Sequence, residues 1–477
     1  MKKAGILLHI SSLPGPFGIG KLGKEAYEFI HFLKEAGQTY WQILPIGPTA
    51  FGNSPYQSPS IYAGNPLFID PRIVQSEGLI NDIDYLYDNN KDVDYSKVIA
   101  INNKFLNEIK IIITKELNDF VNQNDWLVDY ALYNIIKKIN NNKPWYLWER
   151  ALKNRDEKTL KDVKNKYKNE IKKEIFVQYL FYKQWFRFKN YANKLGIKII
   201  GDIPIYVAYD SVEVWKNPQI FILDEEKIPI KVAGVPPDYF SKTGQLWGNP
   251  LYDWTYLKIN NYQWWIQRIE HAKRLYDIIR IDHFRAFSEY YAIPYGSENA
   301  ISGKWEEGPG MHFFKLIDRD NIIAEDLGVY DDKLKNLLKF TRFPGMKVLQ
   351  FEMPYKSVRK IIKKTPKNTV LYTGTHDNDT IIGWFTNLMP KVKQKIMKDL
   401  KINDDKNINW DIINLAYQTK ANTVIIPFQD FIGAGSYARM NTPGIIDNNW
   451  TYRISEDDVN NLLASKIYNI TNEHNRL

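Results

Sequence analysis

The sequence contains no cysteine, which excludes disulfide bonds and thiolate metal ligands. It also lacks any window near the ~20 consecutive apolar residues that a membrane-spanning helix needs. The apolar stretch after the first residues stops at His9, short of the continuous segment of roughly 7–15 residues found in a secretory signal. These absences predict a cytoplasmic protein with no membrane partner.

Positive charge is in excess, with a formal net charge of +9 at pH 7. Much of the excess lies in residues 153–173, a lysine-rich stretch of mixed charge with a helical pattern. Such runs are usually solvated helix faces, and no nucleic-acid-binding motif accompanies this one. We therefore predict that the protein has no nucleic-acid partner.

Apolar, strand-like runs recur along the chain, and most are separated by segments of helical length. A helical stripe over 25–37 follows the first run, and Ser455 and Asp458 predict a capping box at the start of a final helix. This alternation is typical of the α/β class and predicts a (β/α)8 TIM barrel. The predicted strands are 6–10, 40–45, 199–202, 278–282, 322–325, 346–351, 370–373 and 424–428.

The spacing of these runs is uneven and predicts two insertions in one catalytic barrel domain, 1–477. About 150 residues separate the second and third strands, far more than a normal connection. They include long helical patterns over 97–139 and 174–195, so we predict a mostly helical insertion subdomain at 70–195. A second insertion, 211–262, is rich in proline, glycine, asparagine and aromatic residues, and we expect it to form part of the substrate cleft.

Acidic residues follow three of the predicted strands at or near their carboxyl ends. They are Asp282, Glu325 and Asp377. Barrel enzymes keep their chemistry at the carboxyl ends of the strands. A nucleophile, a proton donor and a substrate-holding acid make up the equipment of a retaining enzyme that acts on glycosidic bonds.

Alternation along the fourth strand predicts that Arg280 and Asp282 share one face of the barrel. Ile279 and Ile281 would then pack outward against the helices. A guanidinium beside a carboxylate favours the charged form, which suits a nucleophile. An Arg–Asp pair that only closes a layer of the barrel is the alternative, and the other two strand-end acids favour the catalytic interpretation.

The residues alone leave two choices open. Glu325 is followed by Asp326, and adjacent residues face opposite ways in a strand, so either carboxylate can be the catalytic one. Asp377 and Asp379 pose the same choice after the seventh strand.

His283 and His376 each lie beside one of these acids and are candidates for hydrogen bonds to sugar hydroxyls. They lack the short paired spacing of zinc motifs. We therefore predict neither a metal ion nor another cofactor.

The chain resembles the amylomaltases, also called disproportionating enzymes, which are 4-alpha-glucanotransferases of glycoside hydrolase family 77 in the alpha-amylase clan. The likeness runs from about Gly5 to about Arg453 and includes the three acidic segments. Any one motif is a weak signal, whereas all of them in this order are a strong one. The other motifs are 9–16 (HISSLPGP), 53–58 (NSPYQS), 201–207 (GDIPIYV), 234–241 (GVPPDYFS) and 244–250 (GQLWGNP).

The resemblance implies roles for the acids, with Asp282 as nucleophile, Glu325 as general acid/base and Asp377 as transition-state stabiliser. It thereby favours Glu325 over Asp326 and Asp377 over Asp379. Tyr56 is similar to the family's aromatic platform under the donor glucose, and 238–240 resembles its flexible acceptor-side loop. The substrate-binding residues predicted in this way are Tyr56, Asp202, Asp238, Tyr239, Phe240, Trp247, Arg280, His283 and His376.

The resemblance also implies a barrel without the C-terminal β-sandwich of ordinary amylases. The implied activity moves a segment of an alpha-1,4-glucan to the 4-hydroxyl of an acceptor through a covalent glucosyl-enzyme. Alpha-1,4-glucans, maltooligosaccharides and glucose are the implied partners. A hydrolytic alpha-glucanase with the same three acids is the alternative.

Overall fold

The computed structural model of the protein describes residues 2–237, 241–328 and 330–477. The strands in these ranges are β1 (Lys3–Leu7), β2 (Tyr40–Gln42), β3 (Lys198–Ile203), β4 (Lys231–Val235), β5 (Gln245–Pro250), β6 (Ile278–Ile281), β7 (Glu289–Pro294), β8 (Lys304–Glu307), β9 (Ile322–Ala324), β10 (Gly345–Val348), β11 (Thr369–Tyr372) and β12 (Thr423–Pro427).

The helices surround and connect these strands. None of the helices that the structure describes is long and apolar enough to cross a membrane. They are α1 (Lys24–Glu35), α2 (Pro71–Ser76), α3 (Tyr95–Glu108), α4 (Lys115–Asn122), α5 (Trp126–Ile139), α6 (Arg150–Lys153), α7 (Glu157–Lys166), α8 (Lys168–Lys194), α9 (Val212–Lys216), α10 (Trp254–Ile259), α11 (Gln263–Leu275), α12 (Gly310–Phe314), α13 (Asp332–Thr341), α14 (Leu349–Glu352), α15 (Val358–Lys364), α16 (Ile381–Asn387), α17 (Pro390–Leu400), α18 (Ile408–Gln418), α19 (Phe428–Phe431) and α20 (Asn461–Glu473).

Eight parallel strands form the barrel, hydrogen-bonded in the order β10-β11-β12-β1-β2-β3-β6-β9. The backbone N–H of Ala324 in β9 donates to the carbonyl of Pro344, just before β10, at 3.0 Å and so joins the two ends of this order. The strands are nearly all apolar and buried because helices cover the outside while side chains fill the inside. The predicted (β/α)8 barrel is confirmed.

Several predicted strands extend past the observed ends. The second run was 40–45, yet β2 ends at Gln42, and Ile43 and Leu44 continue as buried loop at the barrel mouth. The run 346–351 likewise covers β10 and part of α14. Apolar residues persist past β2 because that loop is also buried, and past β10 because α14 begins with the buried Leu349, so hydrophobicity alone does not mark where the strand ends.

The helical patterns are also divided more finely than the sequence predicts. The pattern over 97–139 holds three helices, because Ile109 is extended and Thr114 starts α4 by accepting a hydrogen bond from the Leu117 N–H. The capping box of Ser455 and Asp458 is present, but it closes a short 3-10 turn, and α20 begins separately at its own cap, Asn460. Helices α2 to α8 occupy the stretch between β2 and β3, where the boundaries of an insertion subdomain stay a prediction.

A second sheet, which the sequence analysis missed, lies beside the barrel mouth. Its antiparallel strands run in the order β5-β4-β7-β8, and β4 and β5 belong to the insertion 211–262 that the sequence presents as loop-rich. Glycine and proline within these strands hide them. Gly234 is required by close packing, since a Cβ there would lie 2.2 Å from the carbonyl oxygen of Gln245 in β5.

The C-terminal segment is anchored by a buried guanidinium. Arg476 donates hydrogen bonds to the carbonyls of Tyr417, Thr419 and Ala421, each at 2.9 Å, and is fully buried. These carbonyls lie at the end of α18 and just beyond it, where a helix leaves acceptors without partners. Arg476 therefore fixes the connection that enters β12.

Replacing Arg476 with alanine should lower the free energy of unfolding by roughly 3 kcal/mol, because buried carbonyls lose a charged donor. Thermal unfolding followed by circular dichroism at one scan rate measures the change. Arg359→Ala, on the exposed side of α15, is the matched control and should unfold with the parent protein. Equal Tm values for the parent and Arg476→Ala would contradict this role.

Candidate active site

The barrel brings the predicted acids to one mouth through the register of its strands. Asp202 in β3 pairs directly with Arg280 in β6, and Ile281 in β6 pairs with Ala324 in β9. Asp282 and Glu325 are the next residues after that second pair. Neighbouring residues of parallel strands point the same way, so the register sets Asp202 beside Arg280 and Asp282 near Glu325.

Arg280 is the buried centre of the site. Its Nη1 donates to Oδ2 of Asp202 at 2.5 Å and contacts Oδ1 of Asp282 at 2.9 Å. Alternation along the strand predicted this meeting of Arg280 and Asp282. The side chain of Asp202 is 0% exposed, whereas that of Asp282 is 30% exposed and accessible from the mouth. Asp282 is therefore the acid of this pair that a substrate can reach.

The charges of this cluster follow from burial and proximity. Burial lowers the pKa of Arg280, but Asp202 and Asp282 outweigh it and hold that pKa well above the ordinary value. Burial raises the pKa of Asp202 to about 6, against the opposing effect of Arg280. At neutral pH, the guanidinium is therefore charged and Asp202 is mostly charged.

Glu325 is held by the backbone of two turns. Its Oε2 accepts from the His283 N–H and its Oε1 from the Leu327 N–H, both at 2.8 Å, while its carbonyl accepts from the Phe284 N–H at 2.9 Å. His283 has a left-handed backbone (φ 49), which turns the chain so that these two successive N–H groups meet Glu325. The turn after β6 therefore orients the carboxyl that follows β9.

The protonation of Glu325 differs from that of its neighbours. Burial and the nearby Asp282 carboxylate raise the pKa of Glu325 to about 8, although Arg280 and the backbone donors oppose the shift. The carboxyl therefore keeps its proton at neutral pH. A raised pKa from burial and a neighbouring acid is what a general acid needs.

The alternative acids have partners elsewhere in the framework. Oδ1 of Asp326 accepts from the N–H of Met346 in β10 at 2.7 Å. Asp379 accepts from the Thr380 N–H at 2.8 Å and from the Ser436 hydroxyl at 2.7 Å. Asp326 thus joins the segment after β9 to β10, and Asp379 joins two loops, and both contacts favour structural roles for them.

Asp377 lies at the mouth with its side chain 45% exposed. Its Oδ1 accepts from the side-chain amide of Asn441 at 2.6 Å and lies 3.4 Å from Nε2 of His376. A guanidinium hydrogen bond from Arg439 reaches the carbonyl of Asp377 at 2.5 Å. A loop that follows the last barrel strand therefore holds this acid.

Aromatic rings line the same region. Tyr56 stacks on His376 with ring centroids 5.1 Å apart, and its hydroxyl donates to Oδ2 of Asp202 at 2.7 Å. Trp450 lies 6.0 Å from both stacked rings. Tyr56 therefore belongs both to the charged cluster and to the aromatic wall.

The ring of His283 meets the edge of Trp247 on β5, with centroids 4.9 Å apart, so the antiparallel sheet borders the site. Burial lowers the pKa of His283 to about 4, and its ring is neutral. Of the remaining predicted residues, Asp238, Tyr239 and Phe240 lie outside the described residues. Within the described ranges, no group of three His, Asp or Glu side chains is arranged to hold a metal ion.

Sequence reasoning missed Asn441, Arg439 and Trp450. They lie between 62 and 73 residues after Asp377, and no local pattern connects the two segments. One signal was available: loops that follow barrel strands line the mouth, and these residues belong to the loop after the eighth strand.

Comparison with known proteins identifies the family. Residues 8–459 match the model of the 4-alpha-glucanotransferase family, glycoside hydrolase family 77. A 4-alpha-glucanotransferase of Clostridium butyricum is 44% identical over an alignment that covers 98% of this chain and 100% of the relative. One from Aquifex aeolicus is 43% identical and covers 96% of each chain.

Solved structures agree with these sequence matches. The amylomaltase of Streptococcus agalactiae in complex with acarbose is 39% identical, with a TM-score of 0.96 and full coverage of both chains. The amylomaltase of Corynebacterium glutamicum, 14% identical with a TM-score of 0.77, shares the fold over all of this chain and 75% of its own. The resemblance read from the motifs is confirmed, and the chain belongs to the 4-alpha-glucanotransferase family as an enzyme of the amylomaltase type.

Proposed function

We propose that this 4-alpha-glucanotransferase works by a retaining double displacement at Asp282, Glu325 and Asp377. The observation that carries the proposal is the difference in surroundings between two neighbouring carboxyls. Glu325 keeps its proton because its pKa is raised, while Asp282 contacts a charged guanidinium. Two acids in such different surroundings are suited to separate roles in one reaction.

In the first displacement, a carboxylate oxygen of Asp282 bonds to the anomeric carbon of the donor glucan. The bond from that carbon to the glycosidic oxygen breaks, and Glu325 transfers its proton to the departing oxygen. The products are a covalent glucosyl-enzyme on Asp282 and a shortened glucan with a free 4-hydroxyl. Asp377, exposed at the mouth, faces the positive charge that develops on the sugar ring.

In the second displacement, the 4-hydroxyl of an acceptor glucose or glucan attacks the same anomeric carbon. Glu325, now a carboxylate, takes the hydroxyl proton, and the bond to Asp282 breaks. Two inversions restore the alpha configuration and return both acids to their starting states.

The substrate class follows from the family and the walls of the site. The related Streptococcus agalactiae enzyme was solved with acarbose, which supports a carbohydrate ligand in the corresponding mouth here. We assign Tyr56 and His376, together with the Arg280–Asp202 pair, to the sugar bound at the reacting carbon. The planar face of Tyr56 suits stacking on the sugar ring.

Transfer rather than hydrolysis requires an acceptor site that keeps water out during the lifetime of the intermediate. We assign Trp247 and His283 to the acceptor side, together with the predicted loop residues Asp238, Tyr239 and Phe240. Trp247 and His283 lie edge to face on the side of the antiparallel sheet, next to the backbone that holds Glu325. The 4-hydroxyl of the acceptor would then lie beside Glu325, which takes its proton.

Incubation with maltotriose tests the reaction class. Transfer should give glucose together with glucans longer than maltotriose, because a glucan hydroxyl intercepts the intermediate. Product separation by chromatography at early time points measures the distribution. Maltose and glucose without elongated products would instead assign the protein to hydrolysis.

Glu325→Gln tests the proton donor. On maltotriose, turnover should fall by about 10²–10⁴-fold, since the leaving oxygen receives no proton. With an alpha-maltosyl fluoride donor, fluoride departs without protonation, so the loss in the first turnover should be much smaller. An equal loss of turnover on both donors would contradict the role of Glu325 as the acid.

The parent enzyme offers a second test of the proton donor. Its kcat/KM on maltotriose should decline as the pH rises through about 8, where Glu325 loses its proton.

The same variant tests the covalent intermediate. Glu325→Gln treated with alpha-maltosyl fluoride should accumulate an adduct of one maltosyl group per chain, because the second displacement lacks its base. Intact-protein mass spectrometry detects the adduct, and peptide mapping should locate it on Asp282. Asp282→Asn is the control and should form no adduct. An adduct on another residue would refute the assignment of the nucleophile.

A further inference from the structure

Residues 439–450, after β12 and α19, form a loop that packs on the His376–Asp377 turn. The loop contacts the turn at both carbonyls and at one carboxylate. The Asn441 N–H donates to the carbonyl of His376 at 3.0 Å, and its side-chain amide donates to Oδ1 of Asp377 at 2.6 Å. Arg439 binds the carbonyl of Asp377 through Nη2 at 2.5 Å and that of Asn441 through Nε at 2.8 Å.

The 439–450 loop is closed by its own hydrogen bonds. Oδ1 of the buried Asn449 accepts from the Thr442 N–H at 2.9 Å, and its Nδ2 donates to the carbonyl of Ile445 at 2.6 Å. The Trp450 N–H donates to the carbonyl of Met440 at 2.7 Å. Asn441 therefore projects from a fixed backbone.

Trp450 attaches the end of this loop to the aromatic wall. Its backbone is left-handed (φ 66), which is unfavourable for a bulky side chain and is tolerated where the surroundings impose it. Its ring lies against Tyr56 and His376, and its carbonyl accepts from the hydroxyl of Tyr95 at 3.0 Å. The loop thus contacts both members of the Tyr56–His376 stack.

The partners of the three carboxylates at this mouth differ in charge. Asp202 and Asp282 both contact the guanidinium of Arg280. Asp377 instead accepts from the neutral side-chain amide of Asn441 at 2.6 Å, and Nε2 of His376 lies farther away at 3.4 Å. A neutral donor fixes the direction of a carboxylate and favours its ionised form without cancelling its charge. That suits an acid whose negative charge must act on a developing cation.

We propose that Asn441 is a positioning residue that fixes the carboxylate of Asp377 towards the reacting sugar. The inference rests on the proposed role of Asp377 in the reaction. Asp377 is half-exposed, and the Asn441 amide is its close side-chain donor at 2.6 Å. Without that donor, the carboxylate turns about its side-chain bonds, and a displacement of about 1 Å can cost about 10²-fold in rate.

Asn441→Ala and the near-isosteric Asn441→Asp test the proposal with maltotriose as substrate. Asn441→Ala should lower kcat by about 10–100-fold with little change in KM, because substrate binding is retained and orientation is lost. At neutral pH, Asn441→Asp should turn over as slowly as Asn441→Ala or more slowly, because a second carboxylate then faces Asp377.

The pH dependence separates positioning from a general structural role. At acid pH, two neighbouring carboxyls can share one proton, and a protonated Asp at position 441 can again donate to Asp377. The ratio of the Asn441→Asp rate to the parent rate should therefore rise at acid pH. The corresponding ratio for Asn441→Ala should stay flat. If both ratios are flat and both variants lose Tm, the residue only supports the loop and the proposal is wrong.

Two controls complete the design. Asn448→Gly changes an exposed asparagine of the same loop at a left-handed position that glycine accepts, and it should keep the parent kcat. In the Asp377→Asn background, adding Asn441→Ala should cost little further in the first turnover of alpha-maltosyl fluoride, since Asn441 acts through Asp377. A large additional loss would mean that Asn441 acts independently and would overturn the inference.

The outcomes also separate this proposal from the proposed function. Parent-like kcat in Asn441→Ala, with Asp377→Asn strongly impaired, rejects the positioning role of Asn441 and leaves the role of Asp377 intact. Parent-like kcat in Asp377→Asn instead rejects the proposed role of Asp377 itself and the inference with it.

Discussion

Arg280 is a buried cation around which the chemistry of the mouth is arranged. A buried charge is costly unless it is paired, and here Asp202 and Asp282 pair with a single guanidinium. Two carboxylates already exceed the one positive charge. Burial raises the pKa of the third acid, Glu325, to about 8, and the nearby Asp282 carboxylate adds to the rise although Arg280 opposes it. Arg280 thus pairs with two of the acids, while burial keeps the proton on the third.

The barrel supplies this arrangement through strand register rather than through flexible loops. Asp202 and Arg280 are register partners in adjacent parallel strands, and Asp282 and Glu325 each follow their strands by one residue. A slip of one residue in β6 would turn Arg280 outward and leave Asp202 buried without its cation. The apolar residues that alternate with the charged ones fix the strand register. The same register decides which charged side chains meet, so one constraint on the sequence sets both.

The sequence predicts a contact of the site when the two residues lie close together along the chain, and it misses contacts between distant segments. Arg280 and Asp282 lie two residues apart in one strand, so alternation predicts their meeting. Local reasoning does not choose Glu325 over Asp326, because that choice depends on the N–H of Met346 in the next strand. It misses the β4–β5 hairpin, whose glycines and prolines resemble a loop, and it misses Asn441 because the contact with Asp377 spans 64 residues. Family likeness adds what local patterns lack, since it carries the tertiary arrangement of whole motifs.

The mouth therefore has two parts with different physical control. On the β3–β6–β9 side, charge is balanced around Arg280, and the strand ladder fixes the geometry. On the β11 side, Asp377 stands at the end of a turn, and its close side-chain donor is neutral and comes from the 439–450 loop. In the first part, burial and nearby charges determine which carboxyl group carries a proton. In the second part, hydrogen bonds determine the direction of the Asp377 carboxylate. Because Asn441 carries no charge, its contact sets the direction of the Asp377 carboxylate without adding a charge to the cluster of Arg280, Asp202 and Asp282.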